Sequence, residues 1–341
     1  MPDRWSRRQV VQGAGAVGLG LLAGCGRLPW QGQPAPRKVP TIGWLRQRSG
    51  ESTDSLEPAP DENLEAFRQG LAALGYVEGQ HVVIEPRLTD PGESGLREAA
   101  ADLVRLQVDV LVTRGLAATR AAQAATSTIP IVFASVPAPV GSGLVASLAR
   151  PGGNVTGLAN LSTELQAKRL ELLAQVVPGL RRVAFLWDPL SPASSVQELQ
   201  AAAQTLGVRL QVLEIRDVAD YEAAFAAAGA EQADALMVAG GTNTRNRARL
   251  VSLVARARLP AMYNSSQAVR DGGLMAYGAD ALDLDRRAAA YVDKILKGTH
   301  PADLPVEQPM RFDLAINLRT AQALGLTVPD RVLLQATEVI Q

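Results

Sequence analysis

Part of this chain is written twice. "LGYVEGQHVVIE" from Leu74 is matched by "LGVRLQVLEI" from Leu206, "QVDVLVTRG" from Gln107 by "QADALMVAGG" from Gln232, and "TIPIVFAS" from Thr128 by "RLPAMYNS" from Arg258. "TIGWLRQ" from Thr41 likewise has a counterpart in "RVAFLWD" from Arg182. Each half runs strand, helix ending in Leu-Gly, strand, helix, Asp-containing buried strand, helix, Pro-initiated strand. Such an echo restricts the fold to two similar lobes.

The periodicity of apolar residues predicts strands at Thr41–Leu45, His81–Glu85, Asp109–Thr113, Pro130–Ala134, Arg182–Trp187, Arg209–Ile215, Ala235–Ala239, Pro260–Tyr263 and Leu274–Tyr277. It predicts helices at Glu62–Leu74, Glu93–Leu106, Ala117–Ala125, Thr163–Val176, Ser194–Leu206, Asp217–Ala228, Thr244–Ala257 and Asp283–Lys297. Strands separated by helices make parallel sheets with helices on both faces, so the expected class is α/β. Ligands of such sheets bind beyond the carboxyl ends of the strands, and two lobes facing each other with those ends make a cleft.

Ahead of the repeat, "SRRQVVQGAGAVGLGLLAGCG" (Ser6–Gly26) carries Gly13, Gly15 and Gly18 in dinucleotide-fingerprint spacing. That fingerprint needs a preceding buried strand and an acidic residue about 20 positions on. Arg7 and Arg8 open the stretch, and no Asp or Glu stands between Asp3 and Glu51. The same residues read as an export signal: basic Arg4, Arg7 and Arg8, an apolar run from Val10 to Gly24, then small residues before a cysteine. The run is shorter than the roughly 18 to 20 residues of a bilayer span. Leu22-Ala23-Gly24-Cys25 resembles a bacterial lipobox, which makes Cys25 the expected lipidation site; an ordinary cleaved signal with an incidental cysteine is the alternative. Ser6-Arg7-Arg8 resembles a twin-arginine signal, with Val10 where Phe is usual. The organisation expected is an export signal at 1–24 and a Pro/Gly-rich tether at 25–39.

With a single cysteine among 341 residues the chain forms no internal disulfide and depends on its core, for which a 47% hydrophobic composition suffices. Zero net charge and the lack of an aromatic or basic stripe argue against a nucleic-acid partner. Enzymatic signatures are missing too: no H-E-x-x-H, paired-Cys site, G-x-S-x-G elbow or Walker A loop occurs. His81 and His300 lie far apart and read as solvated or structural, and Asp283 and Asp285 fall at a helix start, where they favour the macrodipole. No cofactor and no metal are expected.

Two long runs carry a family resemblance, "TIPIVFASVPAPVGSGLVASLARPGGNVTGLA" (Thr128–Ala159) and the segment from Gly272 to Pro329, beginning "GGLMAYGADALDLDRRAAAYVDKILKG". With "FRQGLAALGYVEGQHVVIE" (Phe67–Glu85) they resemble the substrate-binding proteins of ABC-type importers, in the family whose better-studied members bind tryptophan or related amino acids. The likeness spans about Val39 to Ile340. It implies a type I periplasmic-binding-protein fold: two Rossmann-like lobes joined by a hinge of about three segments, crossing near Thr156–Leu158, Met275–Gly278 and Leu304–Pro309. Lobe 1 would hold 40–156 and 277–305, lobe 2 157–276 and 306–341. The implied partners are a small-molecule ligand and the permease subunits, with membrane contact through a lipid anchor only. A sensory module for a membrane receptor, an enzyme on the same scaffold and a paralogue that has lost binding are the competing readings.

The strand-end rule nominates ligand-binding residues. On the first lobe they are Arg46 and Gln47, then Thr113, Arg114 and Gly115, then Ser135, Val136 and Pro137. On the second they are Trp187, Asp188, Thr242, Asn243, Asn264 and Ser265, with Tyr277 at a crossing and Ser194 at a helix start. Plainer roles compete at several positions: helix capping for Thr242 and Ser194, core packing for Trp187, a surface ion pair for Arg114. Pro151-Gly152-Gly153-Asn154 reads as a turn. Where the family often carries charge, this chain has Ala138 and the neutral Ser265, Ser266 and Gln267, leaving Asp188 as the acidic candidate for an α-ammonium group.

Overall fold

The computed structural model describes residues 39–48, 61–90, 93–189 and 191–341; the segments expected to be an export signal and a tether, with Cys25, lie outside them. Val39–Gln341 form one compact unit, which contains both sheets and the four hydrophobic clusters that cover their faces.

The first half of the repeat supplies β1 (Thr41–Gln47), β2 (Val83–Thr89), β3 (Val110–Arg114), β4 (Ile131–Val136) and β5 (Val155–Ala159), an all-parallel sheet in the order β2-β1-β3-β4-β5. The second supplies β6 (Arg182–Trp187), β7 (Arg209–Glu214), β8 (Ala235–Val238), β9 (Ala261–Tyr263) and β10 (Met275–Ala279), to which β11 (Phe312–Asn317) and β12 (Glu338–Ile340) are added in the order β12-β11-β10-β9-β8-β6-β7. Only β10 and β11 pair antiparallel among these strands. The order β7-β6-β8-β9-β10 repeats β2-β1-β3-β4-β5, so the sequence echo is a topological one.

The helices are α1 (Glu62–Ala73), α2 (Glu93–Arg105), α3 (Leu116–Ala125), α4 (Gln166–Val176), α5 (Ser194–Leu206), α6 (Asp220–Ala230), α7 (Gly241–Arg245), α8 (Arg247–Ala257), α9 (Ser266–Arg270), α10 (Ala281–Leu296), α11 (Leu318–Ala323) and α12 (Asp330–Leu333). Asp61 caps α1 by accepting from Asn63 N and Leu64 N, and Asp280 caps α10 by accepting from Asp283 N. The single helix expected over Thr244–Ala257 is two, α7 and α8, parted at Asn246, whose φ of −101° and ψ of 28° leave the helical region. The strand expected at His81–Glu85 runs instead from Val83 through Pro86 to Thr89; β2 is an edge strand, where proline's missing N–H removes no ladder bond.

The chain crosses between the sheets three times. After β5 it enters α4, whose Leu170, Leu172, Leu173 and Val176 pack under the second sheet. After β10 it returns as α10, whose Leu284, Ala288, Ala289 and Val292 pack under the first. A last passage from Leu304 to Phe312 leads to β11. The first and last passages run side by side: Ala159 N donates to Glu307 O at 2.9 Å, Glu307 N to Gly157 O at 3.1 Å, and Thr156 Oγ1 to Leu304 O at 2.6 Å.

Candidate ligand-binding cleft

The carboxyl ends of the two sheets face each other across a cavity of about 220 Å³. A cavity of about 150 Å³ holds benzene, so this one has room for a ring bearing a short chain. Arg46 and Gln47 at the end of β1, Arg114 and Gly115 at the end of β3, and Ser135 and Pro137 at the end of β4 line one wall. Asp188 after β6, Ala239 and Gly240 after β8, and Asn264 and Ser265 after β9 line the other.

Charges on the first wall are paired from behind. Arg46 Nη1 donates to Asp61 Oδ1 at 2.7 Å and also to Asn63 Oδ1. Asn63 Nδ2 donates to Asp285 Oδ2 at 2.6 Å, and Arg114 Nε donates to the same oxygen at 3.1 Å. Asp285 is fully buried on α10; loss of water pushes its carboxyl up, and the Arg114 guanidinium opposes that shift. Burial likewise lowers the Arg46 pKa against the pull of Asp61.

The second wall is built around Asp188, also fully buried, whose Oδ2 accepts from Thr242 N at 2.6 Å. Arg245 Nη2 donates to Thr242 Oγ1 at 2.9 Å; burial lowers the pKa of this guanidinium and the Asp188 charge opposes it. Gly240 makes the arrangement possible. Its φ is +96°, and a Cβ there would sit 2.4 Å from Asp188 Cβ and 2.7 Å from Ser191 Oγ.

Arg169, on α4, also lines the cavity although its exposure is 1%. Its Nε donates to Tyr277 O at 2.6 Å, and its Nη1 to Ser162 O at 2.9 Å and Ser162 Oγ at 3.3 Å. These acceptors are neutral, and burial lowers its pKa to about 10.

A sequence model described as ABC transporter substrate binding protein matches residues 56–340. The chain belongs to that family. The tyrosine-binding protein of Clostridioides difficile (strain R20291) is 25% identical over 318 residues, which span 92% of this chain and 90% of the relative. The ABC domain from Streptococcus pneumoniae in complex with L-Trp superposes with a TM-score of 0.79 at 27% identity, covering 88% of this chain and 99% of that one. A conserved domain protein from Vibrio cholerae gives 0.80 at 29% identity, covering 89% and 100%. The architecture of this ABC substrate-binding protein is the type I periplasmic-binding-protein fold.

Of the residues nominated from sequence, Arg46, Gln47, Arg114, Ser135, Asp188, Asn264 and Ser265 reach the cavity, with Gly115 and Pro137. Thr113, Val136 and Trp187 do not line it. Thr113 is fully buried with Oγ1 2.9 Å from Thr119 Oγ1, Val136 belongs to the core, and Trp187 packs on the cluster under the second sheet. Strand geometry is the reason for Thr113 beside Arg114 and Val136 beside Ser135, because neighbours on a strand point to opposite sides and the one of each pair that faces the core is lost to the cavity. Thr242 and Asn243 stand behind the wall: Asn243 Nδ2 donates to Leu186 O and Ala239 O, and Tyr221 donates to Asn243 Oδ1. Ser194 gives way to Ser191 and Ser195, its neighbours around the start of α5. Tyr277 contributes its carbonyl to Arg169 and its ring to a stack on Phe312, 6.1 Å between centroids.

Arg169, Arg245, Asn160 and Ser162 line the cavity without having been nominated. Arg169 carried a signal, since in "QAKRLELLAQV" it shares the helical stripe of Leu172, Leu173 and Val176. An arginine inside an apolar stripe has to find polar company or a ligand. Arg245 carried none, being one more basic residue in "GGTNTRNRAR".

Proposed function

We propose that this chain works outside the cytoplasm as the solute-capturing component of an ABC importer, closing its two lobes on a small ligand and presenting the closed form to the permease. The observation that carries this reading is the cavity between opposed carboxyl ends of two sheets that, among the described residues, three passages connect. Hinge closure between lobes is an established way for such proteins to trap ligand. The lobes are taken as 40–156 with 277–305 and 157–276 with 306–341, and Arg46, Gln47, Arg114, Ser135, Asp188, Asn264 and Ser265 as the ligand-facing set. The ligand class is an amino acid or another small carboxylate, in keeping with the tyrosine and L-Trp named for its relatives. An export signal at 1–24 and lipid on Cys25 would hold the protein at the membrane. The test is a thermal-shift screen of residues 37–341 against amino acids, organic acids, sugars and purines. A ligand of the folded form stabilises it by about 2.7 kcal/mol at 100 times its Kd. A shift confined to carboxylates, with or without an amino group, supports the reading; a shift confined to sugars or purines, or none at all, rejects it.

A further inference from the structure

We propose that the cleft is built for a small organic acid of net negative charge, with Arg169 as the anchor for its carboxylate, and that zwitterionic amino acids are the poorer ligands. This deepens the capture reading and rests on it. Four arginines line the cavity, Arg46, Arg114, Arg169 and Arg245. Arg46 is held against Asp61 and Arg114 against Asp285. Arg245 lies in the field of Asp188. Arg169 has only the neutral oxygens of Tyr277 and Ser162, and its Nη2 has no hydrogen bond among the described residues. A guanidinium buried to this degree without an anion is costly, and a carboxylate arriving in the cavity relieves that cost through charge-assisted hydrogen bonds.

An amino acid would bring the same carboxylate together with an ammonium group that needs an anion of its own. Asp188 is the one acidic side chain among the described lining residues, and it already accepts from Thr242 N beside Arg245. Ala138, Ser265, Ser266 and Gln267 offer no charge. Among the described residues three carboxylates, Asp61, Asp285 and Asp188, face four guanidiniums, so a carboxylate ligand supplies the anion that Arg169 lacks, whereas a zwitterion adds an ammonium group to the same site.

The experiment is calorimetry on residues 37–341 with matched skeletons: propionate and alanine, 4-methylpentanoate and leucine, 3-phenylpropionate and phenylalanine, 3-(4-hydroxyphenyl)propionate and tyrosine, indole-3-propionate and tryptophan, with the amide of each acid. The acid of a binding pair should be at least tenfold tighter than its amino acid, with the amide giving no heat. Arg169→Gln should weaken that acid at least 30-fold, while Arg169→Lys, which keeps the charge, stays within about tenfold; circular dichroism and Tm verify folding of each. An amino acid that equals or exceeds its acid, in the unmodified protein, overturns the proposal and leaves the capture reading standing. An Arg169→Gln protein that is folded and binds the acid unchanged overturns the anchor. If no compound of any pair binds, the amino-acid or carboxylate capture reading falls with it.

Discussion

Gly115 and Gly240 are equivalents in the repeat, both at positive φ (+81° and +96°) where a strand hands over to a helix beside the cavity. Gln107 and Gln232 match as closely, at φ of 53° and 54°. Asp109 accepts from Thr41 N at 2.7 Å, and its counterpart Asp234 accepts from Arg182 N at 2.8 Å, each pinning the first strand of its sheet. The glycines separate strain from contact. A Cβ on Gly115 meets nothing within 4 Å, so Gly115→Ala should cost about 1–3 kcal/mol, the strain of an alanine at φ 81° and ψ 164°, a region kept almost entirely by glycine. Gly240→Ala carries the same strain and adds a collision with Asp188, so it should cost about 1–3 kcal/mol more than Gly115→Ala and loosen ligand binding. Urea midpoints check the pair; equal losses would show that contact at Gly240 does not matter. At this scale the sequence disclosed which loops reach the site and not which side chain of each loop does. Arg114 against Thr113 and Asp188 against Trp187 were decided by strand parity at the last residue, which the apolar runs do not reveal.

Helices α1 and α10 come together at Gly70, where a Cβ would lie 2.2 Å from Arg286 O. Around it Phe67, Leu71, Ala288, Ala289 and Val292 form part of the core under the first sheet. Gly70→Ala gains helix propensity of about 0.5–1 kcal/mol and forces two backbones apart. The net expectation is a loss of about 1–3 kcal/mol, read as a lower urea midpoint with unchanged slope. A midpoint that rises would mean the two helices have slack between them. The alternation of elements was legible because buried parallel strands and amphipathic helices leave different apolar spacings. Three strands were not. β5 carries Gly157 at φ +149°, pressed against Phe133, inside "NVTGLAN", too short and glycine-broken to read as a strand. β11 and β12 lie in the stretch beyond Lys297, outside the repeat, where no first copy announces them, and β11 runs antiparallel to its neighbour.

For the molecule as a whole, closure predicts a change of shape on binding. Small-angle scattering should give a smaller radius of gyration once a calorimetrically confirmed ligand saturates the protein; an identical curve would mean that the cleft binds without moving. The echo made the two lobes readable in advance, whereas the charge pattern of the cavity was hidden because Asp61 and Asp285, which pair its arginines from behind, and Arg169, which lines it, stand at the start of or within helices scattered along the chain. One feature of the connection also shapes that motion. The passages at Gly157–Ala159 and at Glu307 are stitched by reciprocal backbone hydrogen bonds, and Arg287 of α10 pairs with Glu307. Two chain segments held at one bridge between Leu158 and Glu307 bend more readily than they slide past each other, because sliding breaks both hydrogen bonds. The proposed closure would therefore turn the halves like the covers of a book along one spine, so that every solute that enters meets the same two pages in the same register.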